Sequence, residues 1–201
     1  MPAKIGLIGG LAFRAGVFYY EQLPQRHGPG QGRLELVLNH ADVATVLAYA
    51  AAGDTAGPGA YLGRLAISEI AAAVRVPMAN VLDTVPAGLQ AAGLDRVAVF
   101  GNRVVMQTNV FGAVPDRMAV KPDPAAIDLV HATHSQIALE GKRGTQPEAE
   151  VLSSLARNHG AQAVLLAGTD LSSFYADEKP DFPVMDMAQL HIGQIMRLAV
   201  A

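Results

Sequence analysis

The stretch AVLLAGTDLSSF, Ala163 to Phe174, decides how this chain is read. Ala163-Val164-Leu165-Leu166 is a short, wholly apolar run, the pattern of a strand buried on both faces of a sheet. It breaks at once into Ala167-Gly168-Thr169-Asp170, which reads as a polar turn. In α/β proteins, chemistry collects where parallel strands end in such turns. Thr169 can hydrogen-bond a ligand carboxylate there, and Asp170 can act as a base or orient a partner. The structural alternative is that Asp170 only caps the turn that follows.

The same unit recurs along the chain. Strand patterns run at Lys4–Ile8, Leu34–Asp42, Pro77–Asp83, Arg96–Phe100, Met118–Lys121, Ala163–Leu166 and Val184–Asp186. Helical spacing separates them at 15–25, 43–52, 59–74, 85–92, from 104, 125–140, 146–157 and 188–199. Strands alternating with helices predict parallel sheets joined by right-handed crossovers. Two halves are visible, each opening on a strand that stops at a glycine turn, GLIGGL in the first and VAVFGN in the second. The expected domains are 1–84, completed by a C-terminal helix over 187–201, and 85–186, with a hinge at Asp83–Pro86. Between the second and third strand patterns the chain runs helix into helix, with no strand between them.

Composition narrows the function. Hydrophobic residues make up 51% of the 201 positions and charged residues 16%, a globular balance with a core of Ala, Val, Leu and Ile. Net charge is −3 with no basic run, which argues against nucleic-acid binding. No apolar run approaches the roughly 20 residues that span a bilayer, and the N-terminus reads as a first strand rather than a signal peptide. The expectation is a soluble, cytoplasmic protein. Cysteine is absent, so disulfides, thiolate metal sites and thiol catalysis are all excluded.

Several other positions can carry chemistry. Gly9-Gly10, after the first strand, lets backbone N–H groups approach an anion; it also suits a tight turn. The spacing is not that of a dinucleotide fingerprint or a P-loop. Gly101-Asn102 ends another strand, and Asn102 can bind a carboxylate or cap the next helix. His191, one turn into the last helix, is a candidate acid/base, and so is His40 after the second strand. Lys142 and Arg143 sit in a glycine-flanked loop that can close over an anion or simply be solvated. His131 and His134 are three residues apart on a helix, but no acid at a suitable offset completes a metal site.

The order of these pieces resembles the aspartate/glutamate racemase superfamily. KIGLIGGLAFRAGVFYYEQL is similar to its opening strand, double-glycine loop and first helix. VRVPMANVLDTV is similar to a hydrophobic strand closed by an acid, here Asp83. RVAVFGNRVVMQTNVFG resembles its second-domain opening. GAQAVLLAGTDL resembles its GAxxVxLGCTEL signature, and PVMDMAQLHIGQI its closing element, which carries His191. The resemblance implies two Rossmann-like parallel-sheet domains facing each other across a cleft. It implies cofactor-independent, metal-free proton transfer at the α-carbon of a small carboxylate or amino acid, by one cysteine from each domain, in a homodimer. Here Gly168 stands in place of the second cysteine. The strand carrying the first, expected near Leu65–Ile67, is missing from the pattern. Two-thiol racemisation is therefore excluded. Asp170 and His191 are left as catalytic candidates, with Gly9, Gly10, Asn102, Thr169 and Lys142 as binding candidates. The alternative is a protein that binds or senses a small carboxylate without turning it over.

Overall fold

The structure is a computed structural model that describes residues 3–9, 13–42, 44–45, 48–49, 52, 79–140, 145–177 and 181–199. The backbone divides into two compact units, Met1–Met78 with Ile195–Ala201, and Ala79–Gln194. Among the described residues no helix is long and apolar enough to cross a membrane. The strand expected near Leu65–Ile67 and the helix expected over 59–74 lie outside the described residues.

In the first unit β1 (Ala3–Gly9) is followed by α1 (Phe13–His27) and β2 (Leu34–His40). β1 and β2 pair in parallel from Ala3↔Leu34 to Gly9↔His40. Ile5 and Leu7, alternate residues on one face of β1, are buried together with Tyr19 and Leu23 of α1. That is the packing a strand–helix–strand unit requires.

The second unit contains α2 (Val81–Ala91), β3 (Val97–Phe100), α3 (Arg103–Gln107), β4 (Ala119–Val120) and α4 (Pro124–Glu140). It continues with α5 (Gln146–Asn158), β5 (Ala163–Leu166), α6 (Thr169–Asp177) and β6 (Val184–Asp186). α7 (Met187–Ala199) begins in this unit. Its parallel sheet has the order β4-β3-β5-β6. The two central strands are buried at every residue, as their unbroken apolar runs predict. The mixed α/β class and parallel pairing read from the alternation are present.

Four local expectations are corrected. PMANVLD is not a strand at its C-terminal end: Asn80 caps α2 by accepting a hydrogen bond from the Leu82 N–H at 3.1 Å, and Asp83 lies in the first turn. The hinge expected at Asp83–Pro86 falls inside this helix. Val85 and Leu89, four residues apart, are both buried, and their packing carries the helix through Pro86 despite the missing N–H. Thr169-Asp170 is not an isolated turn but the start of α6. The helix expected to run from Val104 to Phe111 stops at Gln107, and Asn109, Val110, Phe111 and Gly112 all take positive φ.

Left-handed backbone is costly for residues with a Cβ, by roughly 1–2 kcal/mol each. Val110 offsets this by being buried, whereas Phe111 is 61% exposed with φ at +53°. Phe111→Gly should therefore stabilise the protein by about 1 kcal/mol in denaturant unfolding, while Phe111→Ala leaves it nearly unchanged.

Candidate functional site

In the first unit, β1 ends at Gly9, and β2 brings His40 beside it. A Cβ at position 9 would lie 2.6 Å from His40 Cδ2, so glycine is needed there for the imidazole to pack against the backbone. The His40 ring turns Nδ1 to the Ala41 carbonyl at 2.8 Å, and the Ala41 N–H donates to the Gly9 carbonyl at 3.0 Å. Gly10 and Lys142, both expected to bind ligand, lie outside the described residues.

In the second unit, the pairing of β3 with β5 lines up the strand ends. Phe100 is opposite Leu166, Leu166 is opposite Asp186, and the Ala167 N–H donates to the Phe100 carbonyl at 2.7 Å. Gly101-Asn102, Gly168-Thr169-Asp170 and Asp186 therefore share one carboxyl edge of the sheet, the position where open parallel sheets bind ligands. Asn102 acts there as the cap of α3, its Oδ1 accepting from the Val105 N–H at 3.0 Å. Asp186 accepts from the N–H groups of Ala188 and Gln189, at 2.8 and 3.4 Å, and so caps α7. Burial raises the Asp186 carboxyl above the ordinary carboxylate range, and the Ser172 side chain and these N–H groups only partly offset it.

Helix α4 contributes to the same neighbourhood. The Arg103 N–H donates to Nδ1 of His131 at 3.3 Å, and the Arg103 guanidinium pairs with Asp128 at 2.7 Å. One turn on, His134 reaches the end of β5. Its Nε2 lies 3.7 Å from Oδ2 of Asp170, whose side chain is 5% exposed. A Cβ built at Gly168 would stand 2.9 Å from His134 Nε2 and 3.1 Å from Cδ2. The imidazole thus occupies the space that any side chain at 168 would need. Burial lowers the His134 pKa, the Asp170 charge opposes that shift, and His131 adds to it.

The sequence candidates are thus distributed unevenly. Asp170 and Thr169 lie in the first turn of α6 at the carboxyl edge, with Asn102 on the adjacent strand end. His191 holds a backbone group: its Nε2 is 3.0 Å from the Ala79 carbonyl, next to the cap of α2, and burial lowers its pKa. Sequence reasoning did not place His134 or Asp186 in the site. Asp186 left a signal, an acid at the end of the PVMD strand. His134 stood out only for its spacing from His131, and nothing tied it to Asp170, because 36 positions of chain (134 to 170) separate the two.

No protein-family model matches the chain. Solved structures are similar to it over nearly its whole length. The crystal structure of a candidate Asp/Glu racemase from Yersinia pestis superposes with a TM-score of 0.80 at 18% identity, over 98% of this chain and 99% of that one. An aspartate racemase homologue from Pyrococcus horikoshii OT3 gives 0.67 at 18% identity, over 99% and 100%. Picrophilus torridus aspartate racemase gives 0.67 at 18% identity, over 98% and 94%. The fold defined by these structures is the fold of this chain.

Two measurements test the geometry. Gly168→Ala should cost about 1–3 kcal/mol, because the added methyl group displaces the His134 ring. In a His134→Ala background the same substitution should cost under about 0.5 kcal/mol, so a double-mutant cycle in denaturant reads the coupling directly. Asp186→Asn keeps an oxygen for both cap bonds but cannot ionise. The folded Asp186 carboxyl binds its proton more tightly than the unfolded one, so its contribution to stability is lost as pH rises through the folded pKa. Asp186→Asn should melt above the wild type at pH 7, and the difference should shrink as pH falls to about 4.

Proposed function

We propose that this chain is a cysteine-free relative of the aspartate/glutamate racemases, an isomerase-type α/β protein that acts on a small carboxylate or amino acid without a cofactor. The full-length structural likeness carries this reading. The five sequence segments that resemble the superfamily, in the same order, support it independently. The carboxyl edge of the second unit is suited to an anionic ligand. α6 begins three residues after β5, so its first N–H groups and its dipole favour a carboxylate near Thr169. The same resemblance implies a homodimer, and the composition suits a cytoplasmic protein.

The chemistry must differ from two-thiol proton transfer, because the chain has no thiol. That absence also favours a second reading, a protein that binds the small acid without turnover.

Calorimetric titration with L- and D-aspartate, L- and D-glutamate, succinate and L-malate tests the ligand class. At least one should bind with a Kd below about 1 mM. Thr169→Val should weaken that binding about tenfold, the scale of one hydrogen bond to a charged group. A panel with no binder would overturn the proposal.

A further inference from the structure

All six histidines lie among the described residues, and five turn a ring nitrogen to a backbone group: His27 to the Gly32 carbonyl, His40 to Ala41, His131 to the Arg103 N–H, His159 to Leu155 and His191 to Ala79. Each of these rings is engaged in holding local structure. His134 differs. Its ring nitrogen faces a buried carboxylate, Asp170, and its ring fills the space above a glycine at the end of the central strand. Its side chain keeps 14% of its surface exposed, so the ring is mostly shielded but still reachable.

We propose that His134 is the proton-transferring base of this site, taking over the space a side chain at position 168 would fill, with Asp170 as its positioning residue. This rests on the reading that the ligand is a small carboxylic or amino acid. A glycine at 168 is what the arrangement requires, since a Cβ there and the imidazole exclude each other. Burial keeps the ring neutral, the form that accepts a proton, and the Asp170 carboxylate stabilises the imidazolium once formed.

With Nε2 turned to Asp170, Nδ1 takes the proton. The substrate Cα–H bond breaks, an N–H bond forms, and the electron pair stays on the substrate, spread into its carboxylate. The imidazolium then returns a proton to the same carbon. A single base works on one face, so the hydrogen exchanges and the configuration is retained.

The test is loss of the Cα proton signal of L- and D-aspartate and L- and D-glutamate in D2O, followed by NMR, alongside calorimetric binding of the same compounds. The wild type should exchange at least one of them with retention. His134→Gln and His134→Asn should each lower the rate by about 100-fold or more while the Kd changes less than about threefold. Gly168→Ala, which displaces the ring without deleting it, should also lose exchange. Asp170→Asn should slow exchange less and move the acid limb of its pH profile to lower pH, since Asp170 and His131 are the titratable groups acting on the ring. Binding without exchange in the wild type, or exchange undiminished in both His134 variants, overturns the role of His134 and leaves the ligand class standing. Absence of any binding overturns the ligand class, and the role of His134 with it.

Discussion

The parallel pairing of Val97–Phe100 with Ala163–Leu166 is the constraint on which the second unit depends. Both strands are buried throughout, so a slip by one residue would exchange the side chains packed on the two faces and break the close packing on both. Loops at both ends reinforce the register. At the amino end, the Gln162 side chain accepts from the N–H groups of Asp95 and Arg96, and the Gln162 N–H donates to the Arg96 carbonyl. At the carboxyl end, the Ala167 N–H donates to Phe100, and Gly101 lets the Ala167 carbonyl approach closely. Because the register is fixed, the polar residues that follow each strand arrive at one edge together.

At that edge most polar groups are already used by the backbone. Asn102 and Asp186 satisfy helix N-termini that would otherwise leave N–H groups without partners. His191 does the same for a carbonyl. His134 and Asp170 face one another there, an imidazole and a carboxylate in a shielded position. Their closeness to Gly168 ties the identity of a backbone position to the placement of a side chain on another helix. Steric exclusion, rather than a favourable contact, makes glycine and histidine a matched pair here.

Much of the fold was legible because it rests on local pattern. The apolar runs at 97–100 and 163–166, the glycine stops after them, and the helical spacing of 125–140 and 146–157 each report their own element. Failures came where two local signals competed. At Asn80–Pro86 a cap and a buried stripe outweighed proline and an apolar strand pattern. At Asn109–Gly112 the helical spacing was overridden by a left-handed turn that buries Val110. The candidate site was half legible: Thr169, Asp170 and Asn102 follow strands and could be placed at an edge, whereas His134 sits in mid-helix, marked only by its spacing from His131.

The sequence by itself determined the α/β class, the buried strands at 97–100 and 163–166 and the exclusion of thiol chemistry, because periodicity and composition act through neighbours along the chain and a missing atom needs no structure to interpret. Only the tertiary structure decided which polar residues are spent on capping and which face each other. That choice is made by strand register and helix packing, which bring His134 against Gly168 and Asp170 across a separation that no local pattern encodes.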